Sequence, residues 1–333
     1  MANLLLTERC VRACPYCFAK EQMADTNPSD MLPWENLLYV ADFFQLSDEK
    51  HISLLGGEPT LHPHFVDFVL YLLRRRFHVT VFTSGIVRDA MLDEMQESLA
   101  GVNPEQFSMV CNLNEPALTT PKQTVRLRKF LSVLGHLVSP GFNIYKPDFD
   151  LEFLFELINQ FGLRRSLRLG LAHPIPQQPN EHLRLDDLAA MAERLLSYVP
   201  LFREYKVAPG LDCGFPLCIF SDQQLGLLYR VNKNGLTFGC GPAIDIGPDL
   251  SVWPCFPLSR FHRRSLYEFN HLREIGQYYQ EIHRKVRIEE GGIFRKCDDC
   301  PERETGMCIG GCVSHGLSKF AQEPRVRLDE VYL

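Results

Sequence analysis

Short apolar runs and amphipathic segments of helical length alternate along the first half of this 333-residue chain. The runs have the length of single strands: Asn3 to Leu6, His51 to Leu55, Val79 to Phe82, Phe107 to Val110, Phe142 to Tyr145 and Leu167 to Leu171. The segments between them carry apolar residues at three- and four-residue spacing: Pro33 to Phe44, Phe65 to Phe77, Val87 to Leu99, Thr124 to Leu137 and Leu151 to Phe161. This alternation predicts right-handed crossovers and a parallel sheet covered by helices.

The length of this alternating region limits the kind of barrel it can form. It ends near residue 185, whereas a closed barrel of eight strand-helix units typically needs about 250 residues. We therefore predict an α/β fold whose first domain is an open, partial (β/α)6 TIM-type barrel. Ligands of such sheets bind at the carboxyl ends of the strands, so the turns that follow the predicted strands are the candidate site.

The character of the sequence changes after the barrel region. A proline-rich loop, HPIPQQPN, precedes a predicted helix from Asp186 to Val199. Beyond residue 210, glycine, proline and cysteine are frequent, and the main periodic element is a helix around Leu272 to Lys285. We predict a barrel domain over residues 1–185, a linker helix region over 186–209, and a small, irregular cysteine-rich domain over 210–333.

Composition excludes several classes of partner. Hydrophobic residues make up 45% of the chain and the net charge is −6, which indicates a folded protein without a basic field for nucleic acid or acidic lipid. No signal peptide and no apolar run of about 18 residues is present, so we expect a cytoplasmic protein with no membrane partner. In a reducing compartment the 12 cysteines favour metal binding or catalysis over disulfides, although isolated Cys111 fits a small buried core residue.

Three cysteines, Cys10, Cys14 and Cys17, follow the first predicted strand at C-x3-C-x2-C spacing. Thiolates on one short loop suit an iron–sulfur cluster or zinc. Structural metal sites use four protein ligands, whereas a site with three leaves one position for an exogenous group. The triplet therefore predicts an open metal site, and a zinc site completed by a distant residue is the alternative.

The stretch CVRACPYC, together with GGEP after the second predicted strand, resembles the radical S-adenosylmethionine (radical SAM) superfamily. The resemblance covers about the first 185 residues. It implies that Cys10, Cys14 and Cys17 hold a [4Fe-4S] cluster whose fourth iron is chelated by the amino and carboxylate groups of S-adenosylmethionine. It further implies reductive cleavage of that cofactor to a 5′-deoxyadenosyl radical, which abstracts hydrogen from a substrate.

The same resemblance implies which residues contact S-adenosylmethionine. Backbone groups of GGEP would meet the amino group of its methionine part, three polar side chains after the third and fourth strands would face the carboxylate and ribose, and one tyrosine would lie beside the adenine. In that order they are Gly56, Gly57, Glu58 and Pro59; then Ser84, Asn112 and Asn114; then Tyr16. A tight turn at GGEP and local caps at the serine and asparagines are the alternatives. His173, after the sixth strand, is expected to be structural.

A second cysteine group follows in the last third of the chain. Cys240 and Cys255 form C-x14-C, and C-x2-C-x7-C-x3-C is formed by Cys297, Cys300, Cys308 and Cys312. This spacing is a strong metal signal, with structural zinc as a competitor. Attached to a radical SAM barrel, the array resembles the SPASM and twitch domains, which carry auxiliary [4Fe-4S] clusters.

The match to SPASM domains is partial, because Leu250 replaces a glycine of the pattern and no cysteine follows Cys312. The resemblance places Cys240, Cys255 and Cys312 on one cluster. It places Cys297, Cys300 and Cys308 on the other. Cys213 and Cys218 would each complete one, in an order that the sequence leaves open. Two clusters would use eight cysteines, whereas one would leave four unexplained.

The resemblance implies an oxidoreductase that modifies a peptide or protein, by cross-link formation or side-chain oxidation. The alternatives are a dehydrogenase or other modifier of a small molecule such as an antibiotic sugar, and a non-catalytic zinc or iron–sulfur module. Because Cys10 leaves no room for an N-terminal leader-binding domain, we expect either a separate leader-recognition protein or a small substrate. A flavodoxin or ferredoxin is the implied electron donor. Basic runs at Arg74 to Arg76 and Arg260 to Arg264 fit solvated faces.

Overall fold

The computed structural model describes residues 2–19, 30–232 and 235–320, and the end of the predicted cysteine-rich domain, residues 321–333, lies outside the described residues. The strands are β1 (Ala2–Thr7), β2 (His51–Gly56), β3 (His78–Thr83), β4 (Phe107–Asn112), β5 (Val138–Ile144), β6 (Ser166–Leu171), β7 (Ala208–Leu211), β8 (Asp245–Ile246), β9 (Ser251–Trp253) and β10 (Arg264–Ser265). The helices are α1 (Trp34–Leu46), α2 (Phe65–Arg74), α3 (Asp89–Leu99), α4 (Pro121–Leu134), α5 (Glu152–Phe161), α6 (Leu188–Ser197), α7 (Val199–Glu204), α8 (Asp222–Val231), α9 (Leu272–Glu290), α10 (Pro301–Glu304) and α11 (Val313–Phe320).

The strands of the described residues form one sheet in the order β10-β9-β8-β1-β2-β3-β4-β5-β6-β7. Neighbouring strands from β1 to β7 are parallel, as is β8 beside β1, whereas β9 and β10 run antiparallel to their neighbours. A helix follows each of the first five strands. The predicted α/β fold with a partial barrel is confirmed.

The sheet extends beyond the six predicted strands. β7 contains only four residues, two of them Pro209 and Gly210, and β8 contains two. Such short runs are below the length at which an apolar pattern identifies a strand, which explains why the sequence analysis missed them. Hydrogen-bonded pairing therefore continues past residue 209, and the proposed domain boundaries stay predictions.

Some element boundaries also differ from the prediction. α4 begins at Pro121 because the side chain of Thr120 accepts from the backbone of Gln123, while Gln123 caps in return. The helix predicted from Asp186 to Val199 is divided into α6 and α7, and a proline lies in the first turn of α7. α8 was not predicted.

Burial alternates along β3 and β4, as expected for strands whose outer side packs against helices. Their inner side faces the barrel interior, where Phe82 packs with Leu5, Leu55, Trp253 and Phe256. Trp253 belongs to β9 and is fully buried. The region after the barrel therefore supplies part of the barrel's inner wall.

Two further expectations can be compared with the fold. Cys111 on β4 is fully buried among apolar residues, which confirms its expected role in the core. Within the part of the chain that the structure describes, no helix is both long and apolar enough to cross a membrane.

Candidate active site

The cysteine triplet lies in the loop that leaves the carboxyl end of β1. The backbone N–H of Cys17 donates to the carbonyl of Cys14 at 3.1 Å. The N–H of Arg12 donates to the Sγ of Cys10 at 3.5 Å. Burial raises the pKa of the Cys10 thiol to about 11. A neutral thiol is favoured there in the absence of a cation, and metal binding would supply the charge that stabilises the thiolate.

Asn114, just after β4, fastens the triplet loop to the opposite side of the site. Its Nδ2 donates to the Sγ of Cys14 at 3.3 Å, and its Oδ1 accepts from the hydroxyl of Tyr16. The Tyr16 ring is 7% exposed and its centroid lies 5.2 Å from that of Tyr145. Burial raises the pKa of the Tyr16 phenol, so the hydroxyl stays a donor. These two residues, predicted to contact S-adenosylmethionine, also hold the cysteine loop in place.

The GGEP turn follows β2 and packs directly against the chain that leads into the triplet. The N–H of Gly57 donates to the carbonyl of Thr7 at 2.9 Å, and the N–H of Glu58 donates to the carbonyl of Arg9 at 2.7 Å. A Cβ on Gly56 would lie 2.2 Å from Thr7 O, and one on Gly57 would lie 2.2 Å from Arg9 O. Gly56 also has φ +154°, which L side chains rarely adopt. Both glycines are therefore required by the approach of this protein's own backbone.

The carboxylate of Glu58 joins the ends of β2 and β3. It is fully buried, and its Oε1 accepts from Thr60 N at 3.3 Å, Thr60 Oγ1 at 2.7 Å and Thr83 Oγ1 at 2.8 Å. Its Oε2 accepts from Ser84 N at 2.7 Å and Ser84 Oγ at 2.5 Å. Pro59 begins the short 3-10 turn of residues 59–61 that follows. The side chain of Glu58 thus organises the site, and only its backbone was expected to take part.

Ser84 and Asn112, at the ends of β3 and β4, complete the predicted contact set. The Ser84 hydroxyl is held by Glu58, whereas the Oδ1 of Asn112 is buried without a hydrogen-bond partner among the described residues. A Cβ on Gly141 of neighbouring β5 would lie 2.8 Å from that oxygen. Glycine at position 141 therefore lets the Asn112 side chain lie against β5. An orphaned acceptor close to the cysteine triplet fits a polar cofactor bound to an iron–sulfur cluster.

Four of the C-terminal cysteines come together beside the barrel: Cys213, Cys240, Cys255 and Cys312. A hydrogen bond from Cys312, helped by the nearby Arg287 guanidinium, lowers the pKa of the Cys240 thiol below its ordinary value. The pKa of Cys312 is raised by that hydrogen bond and by burial, with the charges of the other three cysteines adding to it. The N–H of Gly214 donates to the carbonyl of Gly239 at 3.0 Å and joins the segments that carry Cys213 and Cys240. We call these four residues the inner cysteine group.

The other four line a cavity of about 300 Å³ at the C-terminal end of the described chain: Cys218, Cys297, Cys300 and Cys308. The pKa of the Cys218 thiol is raised, mainly by burial, and the charges of Cys297 and Cys308 add to the increase. The Lys296 ammonium opposes it in part. A Cβ on Gly292 would lie 2.4 Å from the Cβ of Cys297, so a glycine is required where the chain passes this site. We call these four residues the outer cysteine group.

All 12 cysteines are thiols and none is in a disulfide. Across residues 2–19, 30–232 and 235–320, no three His, Cys, Asp or Glu side chains converge as ligands of a single metal ion. In a [4Fe-4S] cluster each cysteine binds a different iron, so its ligands are spread further apart than those of one zinc ion.

His173, after β6, is 4% exposed and contacts the inner cysteine group. Its Nδ1 lies 3.3 Å from His315 Nε2, and its Nε2 lies 3.4 Å from the carbonyl of Cys213. Burial lowers its pKa to about 4. It lies between the end of β6 and His315 of α11, and this buried position fits the structural role expected for it.

Sequence analysis missed a polar group on the inner face of β5 to β7. Arg168 pairs with Asp212, its Nη1 lies 3.4 Å from Asn143 Oδ1, and its guanidinium lies 5.6 Å from the centre of the Phe82 ring. Both register neighbours of Arg168 are glycines, Gly141 and Gly210. The signal available in the sequence was a charged residue between two apolar ones, Leu167 and Leu169, which are buried. An arginine at such a position points into the barrel, and the glycines beside it make room for its long side chain.

Comparison with known proteins agrees with this geometry. The Radical SAM superfamily model matches residues 4–109. A tungsten-containing aldehyde ferredoxin oxidoreductase cofactor-modifying protein of Pyrococcus furiosus is 34% identical over 323 residues, covering 90% of this chain and 87% of the relative. PqqA peptide cyclase of Rhizobium meliloti is 32% identical over 116 residues, covering 32% of this chain and 30% of the relative.

Other relatives are longer than this protein. Molybdenum cofactor biosynthesis protein 1 of Bos taurus is 35% identical over 104 residues, which cover 30% of this chain and only 16% of the relative. Among solved structures, anSMEcpe with bound AdoMet has a TM-score of 0.64 at 14% identity and covers 93% of this chain and 85% of its own. SuiB of Streptococcus suis bound to precursor peptide SuiA has a TM-score of 0.61 at 14% identity, covering 97% and 73%.

An open cysteine triplet and a glycine-rich turn on adjacent strand ends of a partial barrel define an iron–sulfur enzyme that uses S-adenosylmethionine. The chain belongs to the radical SAM superfamily. It is a radical SAM enzyme, with S-adenosylmethionine and a [4Fe-4S] cluster as its cofactors.

Proposed function

We propose that the protein is an oxidoreductase that removes hydrogen from a peptide or protein substrate. S-adenosylmethionine bound at the triplet would supply the 5′-deoxyadenosyl radical when an electron reaches the cluster. The substrate would lose a hydrogen atom to that radical, a proton to solvent and an electron to an auxiliary cluster. The observation that carries this proposal is the division of the eight C-terminal cysteines into two groups of four.

The two groups support a SPASM or twitch type of domain with two auxiliary [4Fe-4S] clusters. In this proposal Cys213 completes the inner cluster, with Cys240, Cys255 and Cys312. Cys218 completes the outer cluster, whose other three ligands share its cavity. Four thiolates per cluster is the ligand number that iron–sulfur cubanes use. Zinc in either group is the competing interpretation.

The barrel interior is the proposed substrate chamber. Its wall combines apolar side chains, at Phe82 and Phe256, with a charged pair, Arg168 and Asp212. A paired donor and acceptor suits the N–H and C=O groups of a peptide chain. The names of two similar proteins, PqqA peptide cyclase and SuiB bound to a precursor peptide, support a peptide as the substrate.

The proposal extends to partners. A separate leader-recognition protein would present the peptide, and a flavodoxin or ferredoxin would deliver the electron. Nucleic acid and membranes have no role in it. The cysteine-rich domain over residues 210–333, the linker region over 186–209 and the barrel over 1–185 are the proposed units.

A second function is favoured by one observation. The relative that matches over 90% of this chain is named as a cofactor-modifying protein, so a small organic cofactor is the alternative substrate. In that case the Arg168 and Asp212 pair would bind a compact polar molecule rather than an extended chain.

The first test is a count of iron and acid-labile sulfide after anaerobic reconstitution. The wild type should hold about twelve irons and a Cys10, Cys14, Cys17 triple alanine variant about eight, since a cubane contains four. Cys213→Ala should perturb the inner cluster and Cys218→Ala the outer one, each giving its own change in the electron paramagnetic resonance spectrum. Cys111→Ala is the matched control and should retain all the iron.

The second test uses the reduced enzyme with S-adenosylmethionine. Peptides encoded beside its gene and organic metal cofactors should be incubated separately, with formation of 5′-deoxyadenosine and substrate mass as the readouts. A loss of two hydrogens from a peptide supports the first proposal. A mass change confined to the cofactor supports the second, and zinc in place of iron would remove both.

A further inference from the structure

Arg12 lies inside the cysteine triplet, between Cys10 and Cys14, and its side chain crosses to the end of β4. Its Nη1 donates to the carbonyl of Asn112 at 2.8 Å. Its Nε and Nη2 are buried and have no hydrogen-bond partner among the described residues. One contact thus fixes the guanidinium while two of its nitrogens remain unsatisfied. Buried cationic donors are rarely left in this state unless a ligand completes them.

The two unpaired nitrogens are the ones that form the side edge of an arginine. Nε–H and Nη2–H point in the same direction, and their spacing matches the two oxygens of a carboxylate. A monatomic anion would not fill both of these donor positions. The ligand that completes Arg12 is therefore expected to be a carboxylate or a similar planar anion.

The surroundings of Arg12 narrow the choice of anion. The buried carboxylate of the GGEP turn, Glu58, accepts five hydrogen bonds from Thr60, Thr83 and Ser84 and forms none with Arg12. The Oδ1 of Asn112 is an orphaned acceptor on the residue that Arg12 contacts. A ligand carrying both an anion and hydrogen-bond donors would satisfy the two residues together. S-adenosylmethionine, whose methionine part is a zwitterion, has this chemistry and is the cofactor of this site.

We propose that Arg12 binds the carboxylate of S-adenosylmethionine through its Nε and Nη2, with Asn112 positioning the guanidinium. The triplet loop then supplies both the cluster ligands and the anion-binding residue of the cofactor. Arg12 acts in binding and orientation, and the proposal depends on the radical SAM class of the enzyme and not on the peptide substrate.

The proposal is tested by binding, with no turnover. The affinities of S-adenosylmethionine and of decarboxylated S-adenosylmethionine should be measured by equilibrium dialysis on the anaerobically reconstituted, unreduced enzyme. Arg12→Met keeps the length of the side chain and removes its charge. It should weaken S-adenosylmethionine by about 10- to 100-fold, the range for losing hydrogen bonds between charged groups, and the decarboxylated compound by less than about threefold.

Arg128→Met, on the exposed face of α4, is the matched control and should leave both affinities unchanged. Iron content must be measured for each variant. If Arg12→Met loses iron, Arg12→Lys decides, because a lysine keeps the charge but not the fork and should still weaken S-adenosylmethionine selectively. Equal weakening of both compounds would assign Arg12 a role in loop structure alone, and unchanged binding would also overturn the proposal.

Discussion

Replacing Glu58 by glutamine tests how the site is held together. The glutamate carboxylate accepts five hydrogen bonds, three at Oε1 and two at Oε2. A glutamine has only one acceptor oxygen, so one of these positions becomes an NH2 group facing donors. The hydroxyls of Ser84, Thr60 and Thr83 can rotate and accept from it. The backbone N–H of Ser84 or Thr60 cannot, and one of them is left buried without a partner.

The size of the effect follows from that count. A hydrogen bond to a charged group contributes about 1.5–3 kcal/mol to stability. When one partner is removed, the other stays buried without a hydrogen bond, and the full free-energy cost of its lost hydration is no longer offset. We expect Glu58→Gln to lower the free energy of unfolding by about 3 kcal/mol, with loosening of the GGEP turn. Glu58→Ala removes all five acceptors and leaves a cavity, so it should be destabilised further.

The assay is urea denaturation of the reconstituted enzyme at pH 7.5, followed by far-UV circular dichroism. Glu94→Gln is the matched control, because Glu94 is exposed on α3 and should change stability by less than about 0.5 kcal/mol. If Glu58→Gln is within about 1 kcal/mol of the wild type, the carboxylate does not organise the two strand ends and the reasoning fails.

Three further changes test separate parts of the site. Gly57→Ala would place a Cβ 2.2 Å from Arg9 O, so it should displace the turn and lower iron retention. Its control is Gly226→Ala on α8, where a Cβ meets nothing within 4 Å, and this change should be neutral or stabilising. Iron content and melting temperature measure both effects. Asn114→Ala removes the amide that donates to Cys14, so the cluster should be lost faster to a chelator, with unchanged loss refuting the contact's role. Burial and Arg287 lower the pKa of His283 to about 3, below its ordinary value, so the neutral ring stabilises the fold above pH 6.5 and this stability is lost as the pH falls. Between pH 7.5 and 5 the wild type should lose about 2 kcal/mol more than His283→Leu, measured by urea denaturation, and parallel curves would contradict it.

The barrel and the position of its site were predictable because they depend on local pattern. The runs that became β1 to β6 are apolar on the side that faces the helices, and each predicted polar turn follows its strand directly. The cysteine spacing is equally local. Each of these features can be recognised within a stretch of about ten residues.

The parts that were not predicted depend on contacts between distant residues. Nothing in the spacing of Glu58 and Ser84 indicates that their side chains bond, since the register of β2 and β3 brings them together. Cys213 and Cys218 are five positions apart, yet they lie in different cysteine groups, Cys213 near Cys240 and Cys218 near Cys297 and Cys308. Gly214, directly after Cys213, has φ +92°, a backbone conformation that spacing alone does not reveal.

The pairing of β1 with β8 has a consequence for how the protein is made. Asn3 on β1 donates to Asp245 on β8, a residue 242 positions later in the chain. At a synthesis rate of about 5–20 residues per second, β8 leaves the ribosome on the order of tens of seconds after β1. During that interval one edge of β1, the strand that carries the cysteine triplet, has no partner. The sheet therefore gains its β8 edge only when the last third of the chain is made.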